Sequence, residues 1–590
     1  MKRRSVKRFL CAALAAAVMV SAAGCSSSES SDTAETEEAE DTAEEEEDAE
    51  EEEEEEEEEE LSLEFGETKV TEMSVSLDGE TISVTSYEAR YMENYSIDDQ
   101  YISIYVPEGA DEDSPIFFLV NNSGWQANSY SSRTHVQEDK EYVSDSDTDH
   151  VGAALARGFV IVSYGARSRN NGEIDGVYDG HTPSTIVDTK AAIRYLRYLD
   201  ANGELPAGDV DRIIVNGTSG GGALTTIIAA SGNSADYYEY LYEIGACGIG
   251  VDEDGNYYSE EGIGDDIWMA VAYCPINDLG NADAAYEYTY SDTRRYVVEN
   301  NGITYEDADG DITEEVLAYS EAMGESYVEF VESLGLTLED GETLLTGENL
   351  EECVIALLNE ELKITYETEG LDYILADLAS EDGAENASVT SKYNSTSENW
   401  IDFLSYDEDG VPYIADHEAY ENYLIFVASN QDLKTGPAFS NKGLNYGTSS
   451  EDTLFGASDQ EYSAFNEYSW NNDCIEGNGC GLDDTGMTWD EYLESEEGSL
   501  LAEQLRLSTA LTYLLDEENG ESADYVYIRH GMRDRDTSFT IQTVLYYAFL
   551  SDDTITDVNF GFAWLQQHMG NYDVQEAFSY IDECLADAAQ

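Results

Sequence analysis

Hydrophobic positions fall along this chain in two textures. From Tyr101 onward, compact apolar runs alternate with stretches of helical spacing. YISIYV, SPIFFLVNN and GFVIVSYGARSR are short and rich in β-forming residues, as are RIIVN and WMAVAYCPIND. Between them, IVDTKAAIRYLRYLD turns Ile186, Ala191, Ile193 and Leu196 toward one face, and ALTTIIAASGN predicts a helix ending near Gly232. Strands alternating with helices predict an α/β fold, a mostly parallel sheet covered by helices on both faces. After Asp278 the alternation is lost. The chain to about residue 520 is rich in Tyr, Glu and Asp, with helical pieces such as ITEEVLAYSEAMGESYVEFVESLG. Then DYVYIRHG predicts a strand, SFTIQTVLYYAFL a helix, VNFGFAW a strand and DVQEAFSYIDECLADA a last helix. The simplest organisation is one α/β core in two parts, 61–278 and 521–590, interrupted by a lid-sized insertion over 279–520.

The N-terminus adds an address. Lys2, Arg3, Arg4, Lys7 and Arg8 form a basic region, and an apolar stretch from Phe9 to Ala23 follows it. That stretch is short for a membrane span and ends in small residues, as an export signal does. Gly24-Cys25 resembles a bacterial lipobox, with Ala22 where Leu is usual, so residues 1–25 read as a lipoprotein signal and Cys25 as its lipidation site. A diacylated cysteine supplies two chains, enough for stable anchoring. The expected location is extracytoplasmic, lipid-anchored to the bacterial cell membrane and surface-exposed. Residues 26–60, ending in a run of Glu with no basic residue, predict a disordered acidic tether.

Charge excludes one class of partner. The chain holds 129 acidic against 26 basic residues, a formal net charge of −103, which repels nucleic acid. Its hydrophobic content of 41% is nonetheless that of a folding chain. Cys247, Cys274, Cys353, Cys474, Cys480 and Cys584 match no zinc pattern, and only Cys474 and Cys480 are close enough in sequence to suggest a local disulfide. Acidic turns at 145, 252, 307 and 407 lack the Gly and Glu positions of an EF-hand loop and read as ordinary Asp/Gly turns.

Candidate chemistry centres on RIIVNGTSGGGALTT. Gly217-x-Ser219-x-Gly221 sits between a strand-like and a helix-like run, the context of a nucleophile elbow, where small neighbours permit a strained turn. No Lys follows these glycines as a phosphate loop would require. A serine needs a base and an orienting carboxylate. Of six histidines, His568 lies just beyond VNFGFAW, where an α/β-hydrolase carries its base. DYVYIRHGMRDRD supplies Asp534 and Asp536 after the preceding strand. His530 also ends that strand but precedes the acid, and reads as a structural neighbour. Backbone N–H groups of Gly220 and Gly124 are the candidate oxyanion donors.

NGTSGGGALTT, AYCPINDLGNADAAYE, STIVDTKAAIRYLRY and IRHGMRDRDTSF together resemble bacterial tannases of subtype B, which carry a large lid inserted in an α/β-hydrolase core. The likeness spans both sides of the insertion. It implies Ser219, Asp534 and His568 as the triad, and recognition of a galloyl ring by a Lys, a Glu and a second Asp. Asp536 matches that Asp, and Lys434 and Glu451 are the best matches for the others, at a longer separation than the family shows. Trp125 stands in NNSGWQ where a second Gly is expected.

The resulting expectation is a serine carboxylic-ester hydrolase acting on a plant polyphenol or other small ester, with no metal and no organic cofactor. Feruloyl, cinnamoyl or carbohydrate acetyl esters are alternative substrates. A non-catalytic surface binding module on the same fold, or a peptidase, are rivals from other classes.

Overall fold

The computed structural model describes residues 68–130, 135–301, 306–307, 310–311, 313–378, 403–430, 433–444, 451–516 and 519–588, without the side chains of 296–311 and 429–430. All fall in one compact unit, Leu61–Gln590. The export signal, Cys25 and the acidic tether lie outside the described residues, as does the side chain of the 307 turn.

Ten strands form one sheet. They are β1 (Lys69–Leu77), β2 (Glu80–Arg90), β3 (Tyr101–Pro107), β4 (Pro115–Val120), β5 (Glu141–Tyr142), β6 (Val160–Tyr164), β7 (Asp209–Thr218), β8 (Met269–Tyr273), β9 (Tyr525–Gly531) and β10 (Asp557–Ala563). Their order across the sheet is β10-β9-β8-β7-β4-β6-β3-β2-β1-β5. From β6 to β10 every neighbouring pair is parallel. β3 joins β6 antiparallel, β2 and β1 continue antiparallel, and the two residues of β5 close the far edge in parallel with β1. The expected mostly parallel α/β sheet is therefore present, with β4 and β6–β10, six of the ten strands, in parallel succession.

The apolar runs are continuous because both faces are covered. In β4, Ile116, Phe118 and Val120 enter one core while Phe117 and Leu119 enter the other, and β6 alternates Val160 and Val162 with Ile161 in the same way. Helices α1 (His150–Ala156), α2 (Ser184–Ala201) and α3 (Gly220–Ala230) cross between strands. A further hairpin, β1–β2, precedes the first strand expected from sequence. Its turn, Asp78-Gly79, has φ of 52° and 80°, the doubly left-handed conformation that Asp-Gly favours between antiparallel strands.

β8 and β9 are hydrogen-bonded neighbours, so the long segment between them leaves the sheet and returns beside its point of departure. Among its described residues none joins the large sheet. Its helices include Leu279–Asn301, Glu314–Leu334, Leu350–Glu369 and His417–Asn430. No helix among the described residues is long and apolar enough to cross a membrane. The six described cysteines, Cys474 and Cys480 included, are free thiols, so the suggested local disulfide is not formed. Cys474 donates to the Gly443 carbonyl, while Cys480 accepts from the Ala464 N–H. The acidic turns at 252 and 407 close on themselves: Asp252 accepts from the N–H groups of Asp254 and Asn256, and Asp407 from those of Asp409 and Val411.

Candidate active site

β7 ends at Thr218, α3 starts at Gly220, and Ser219 makes the turn between them with φ 62° and ψ −124°. A non-glycine residue holds that conformation only where its surroundings over-determine it. Here its N–H donates to the Tyr273 carbonyl at 2.9 Å, and its own carbonyl accepts from Ile276 N–H at 3.2 Å and Ala223 N–H at 2.9 Å. The flanking glycines follow from close approach: a methyl at Gly217 would stand 2.2 Å from the Gly221 carbonyl oxygen.

The loop after β10 brings His568 onto this serine. His568 Nε2 lies 2.8 Å from Ser219 Oγ, and His568 Nδ1 lies 2.8 Å from Asp534 Oδ2. Asp534, fully buried in the loop after β9, also accepts the Asp536 N–H on Oδ1 at 2.8 Å. Burial opposes both charges, but each partner offsets it for the other. The His568 and His530 rings and the hydrogen bonds hold Asp534 below the usual carboxylate range. The Asp534 charge and its hydrogen bond lift His568 well above the ordinary histidine value against the burial cost. The arrangement can pass a proton from hydroxyl to imidazole and stabilise the imidazolium that forms.

The oxyanion candidates meet on the other side of Ser219. Gly124 lies in a tight turn, Ser123–Trp125, with φ 63°. That turn presses on the start of α3, where a methyl at Gly220 would stand 2.2 Å from the Trp125 nitrogen. Trp125 takes φ 53° and sinks its indole into the core, donating from Nε1 to the Ile276 carbonyl at 3.1 Å. Ile276 in turn binds Ser219, so the turn, the segment after β8 and the elbow are tied together.

The three residues implied for galloyl recognition border the site without touching one another through an ion pair among the described residues. The Asp536 carboxylate meets Arg535 at 3.0 Å. The Lys434 ammonium lies 4.1 Å over the Phe439 ring, and its backbone N–H donates to Tyr286 Oη at 3.0 Å. Tyr286 also feels the charges of Arg535 and Asp536. Glu451 pairs with Arg169 at 3.7 Å, and Arg169 Nε donates to the Gly124 carbonyl at 2.7 Å.

Sequence reasoning passed over several residues here. Arg169 links Glu451 to the oxyanion turn, and only its place in the loop after β6 pointed toward the site. Cys274, at φ 44°, places its sulfur within 4.8 Å of the ligand atoms of Asp534 and His568 and donates to the Met569 carbonyl at 3.0 Å. Arg294 holds the Lys434 carbonyl at 2.8 Å from 140 residues away.

Fold and site together define an α/β-hydrolase of the esterase type. Residues 102–295 match the BD-FAE family model. No curated protein sequence matches the chain. Solved structures do. A tannase from Fusobacterium nucleatum is 26% identical with a TM-score of 0.62, over 87% of this chain and 98% of that one. A tannin acyl hydrolase in complex with ethyl gallate is 25% identical with a TM-score of 0.64, over 87% and 97%. A tannase from Lactobacillus plantarum is 25% identical with a TM-score of 0.63, over 87% and 98%. This chain is a tannase-like α/β-hydrolase and an ester hydrolase.

Proposed function

We propose that this protein cleaves esters of polyhydroxylated aromatic acids, galloyl esters foremost, through an acyl-enzyme on Ser219. The observation that carries the reading is the unbroken chain Ser219–His568–Asp534, two contacts of 2.8 Å at the carboxyl ends of parallel strands. His568 removes the hydroxyl proton as Ser219 Oγ attacks the ester carbonyl, and Asp534 orients the ring and stabilises its charge. The N–H groups of Gly220 and Gly124 receive the oxyanion. His568 returns the proton to the departing alcohol oxygen, and water then repeats the sequence on the acyl-enzyme.

The acyl group is argued from the border residues. Asp536 and Glu451 are acceptors for phenolic hydroxyls, and Lys434 is a donor to their oxygens. Likeness to tannin acyl hydrolases solved with ethyl gallate and with 3,4-dihydroxybenzoate supports the same choice.

Hydrolysis of methyl gallate, methyl ferulate and p-nitrophenyl acetate by wild type and Ser219→Ala tests the reading. Gallate-preferring turnover lost by about 10⁴-fold or more in the variant is expected. Ferulate or acetate preference would keep the mechanism and remove the galloyl assignment. Turnover that survives Ser219→Ala would remove both. Because His568 is held above its ordinary value of 6.5, the acid limb of kcat/KM is expected above that pH, activity rising as the imidazolium loses its proton.

Cys25 extends the proposal to location. With a diacylglyceryl group, which bears two acyl chains, on that thiol the enzyme works at the cell surface, beyond the acidic tether. Partition of the full chain into detergent, lost in Cys25→Ser, is the expected result, and an unchanged partition would refute the anchor.

A further inference from the structure

A second imidazole stands behind the triad carboxylate. His530, near the end of β9, is fully buried, with its ring edge-on to Phe539 at 5.3 Å and to Phe562 at 5.9 Å. Its Nδ1 lies 3.4 Å from Asp534 Oδ2, the oxygen that already accepts from His568. The separation falls short of a hydrogen bond, and neither ring nitrogen has a hydrogen-bond partner among the described residues. Burial pushes the imidazole down to about 4 despite the pull of Asp534, so it is neutral in the working range.

A neutral imidazole has one N–H to place. On Nε2 it would be buried against phenyl rings without an acceptor, and the Nδ1 lone pair would face a carboxylate oxygen. Both arrangements cost free energy. On Nδ1 the hydrogen is carried by the nitrogen that lies 3.4 Å from Asp534 Oδ2. We propose that His530, as the Nδ1–H tautomer, is a positioning residue for ester hydrolysis, donating to Asp534 Oδ2 and keeping that carboxylate ionised and aimed at His568. The proposal rests on the Ser219–His568–Asp534 reading. A neutral donor shares the carboxylate with His568 without adding a rival cation, and catalytic contacts that are long in the free enzyme commonly tighten as charge develops.

The groups facing this pair leave few other titrations in the working range. Cys274, Tyr290 and Tyr423 come from three other segments, and burial raises each above its ordinary value. Asp536, Arg533 and Arg535 belong to the same loop as Asp534, and His568 arrives from the loop after β10. Removing the His530 N–H makes Asp534 a stronger base and acceptor, which raises His568 further and moves the acid limb of kcat/KM to higher pH.

The test is the pH profile of methyl gallate hydrolysis by the full chain, with active sites counted by a serine-reactive phosphonate. Wild type, His530→Asn, His530→Gln, His530→Leu and Ser219→Ala are compared. The Asn amide carries an N–H where Nδ1 stood, and Gln reaches the Nε2 position instead. In the Leu and Gln variants kcat is expected to fall about tenfold or more with KM held, and the acid limb to rise by about half a pH unit. His530→Asn should keep the wild-type limb and stay within about threefold in kcat. An unmoved limb in Leu and Gln, or Asn behaving as they do, would overturn the proposal. If the Leu variant does not fold, the Asn and Gln pair decides. Nitrogen-15 resonances of labelled wild type give a second readout: a protonated Nδ1 on His530 is expected, and an unprotonated one overturns the assignment. Activity in Ser219→Ala would instead refute the triad reading on which the proposal stands.

Discussion

The end of the parallel sheet and the segment inserted between β8 and β9 are built by different means. At the sheet, buried aliphatic runs set the strands, strand order sets the loops, and three loops deliver Ser219, Asp534 and His568 to one point. In the insertion, buried polar groups join apolar packing in positioning the stretch around Lys434. Asp283 accepts from the N–H groups of Phe439 and Ser440 and from Asn466 Nδ2, fixing the stretch after Lys434 against the helix Leu279–Asn301. Glu287 and Arg294 form a buried pair with Ser320, and Arg294 reaches on to the Lys434 carbonyl. Apolar packing tolerates volume-conserving exchange, whereas a buried charge that loses its partner is left uncompensated. Ser219, Asp534 and His568 rest on the first kind of construction, and the stretch around Lys434 on the second.

Four perturbations would sharpen or break that contrast. The largest effect is expected from Asp534→Asn, which preserves shape while removing the charge that selects the His568 tautomer. Turnover should fall by about 10³- to 10⁴-fold on gallate and acetate esters alike, with thermal stability close to wild type. Gly220→Ala comes next: the added methyl collides with the Trp125 backbone and displaces the oxyanion turn. A loss in kcat of about 10²- to 10³-fold is expected, read by steady-state kinetics, and wild-type kcat would show that the turn does not hold the oxyanion.

Arg294→Met acts on the insertion. Stranding the Glu287 carboxylate costs about 3–5 kcal/mol, seen as a lower Tm. Because the Lys434 loop loses its anchor, KM for methyl gallate should rise by about tenfold while p-nitrophenyl acetate turnover changes far less. Equal losses on both esters would erase the distinction between the two regions. The smallest effect concerns the free thiols. A reductant should leave Tm and activity unchanged, and a drop on reduction would mean that Cys474 and Cys480 pair in the working protein.

The same contrast explains what could be read from the chain. Strands such as VIVSY and helices such as FTIQTVLYYAFLS are buried along their length, so periodicity and composition announce them. The meeting of Ser219, Asp534 and His568 was legible because each sits a few residues beyond such a strand. The β1–β2 hairpin was not, since its strands are only partly buried and written largely in Thr, Ser and Glu, with the Asp78-Gly79 turn as their clearest signal. Arg169, Arg294 and Asp283 were hidden for another reason. Their partners lie well over a hundred residues away, at Glu451, Lys434 and Phe439, and no local pattern encodes such pairings. Glu451 was expected among the site residues, yet its partner Arg169 emerged only in three dimensions.

The return of the chain to the sheet at β9 also orders events in time. The elbow, its helix and the Ser123–Trp125 turn are all made by residue 230 and the contacts from Tyr273 and Ile276 that hold the elbow follow soon after, but His568 lies 349 residues beyond Ser219. A nascent chain thus carries Ser219 through more than half of its synthesis before its imidazole partner exists. Any product truncated before β10 would keep the elbow and lack the imidazole. The Ser219–His568 contact forms only when β9 docks beside β8 and β10 beside β9, a long-range pairing of the kind that forms slowly.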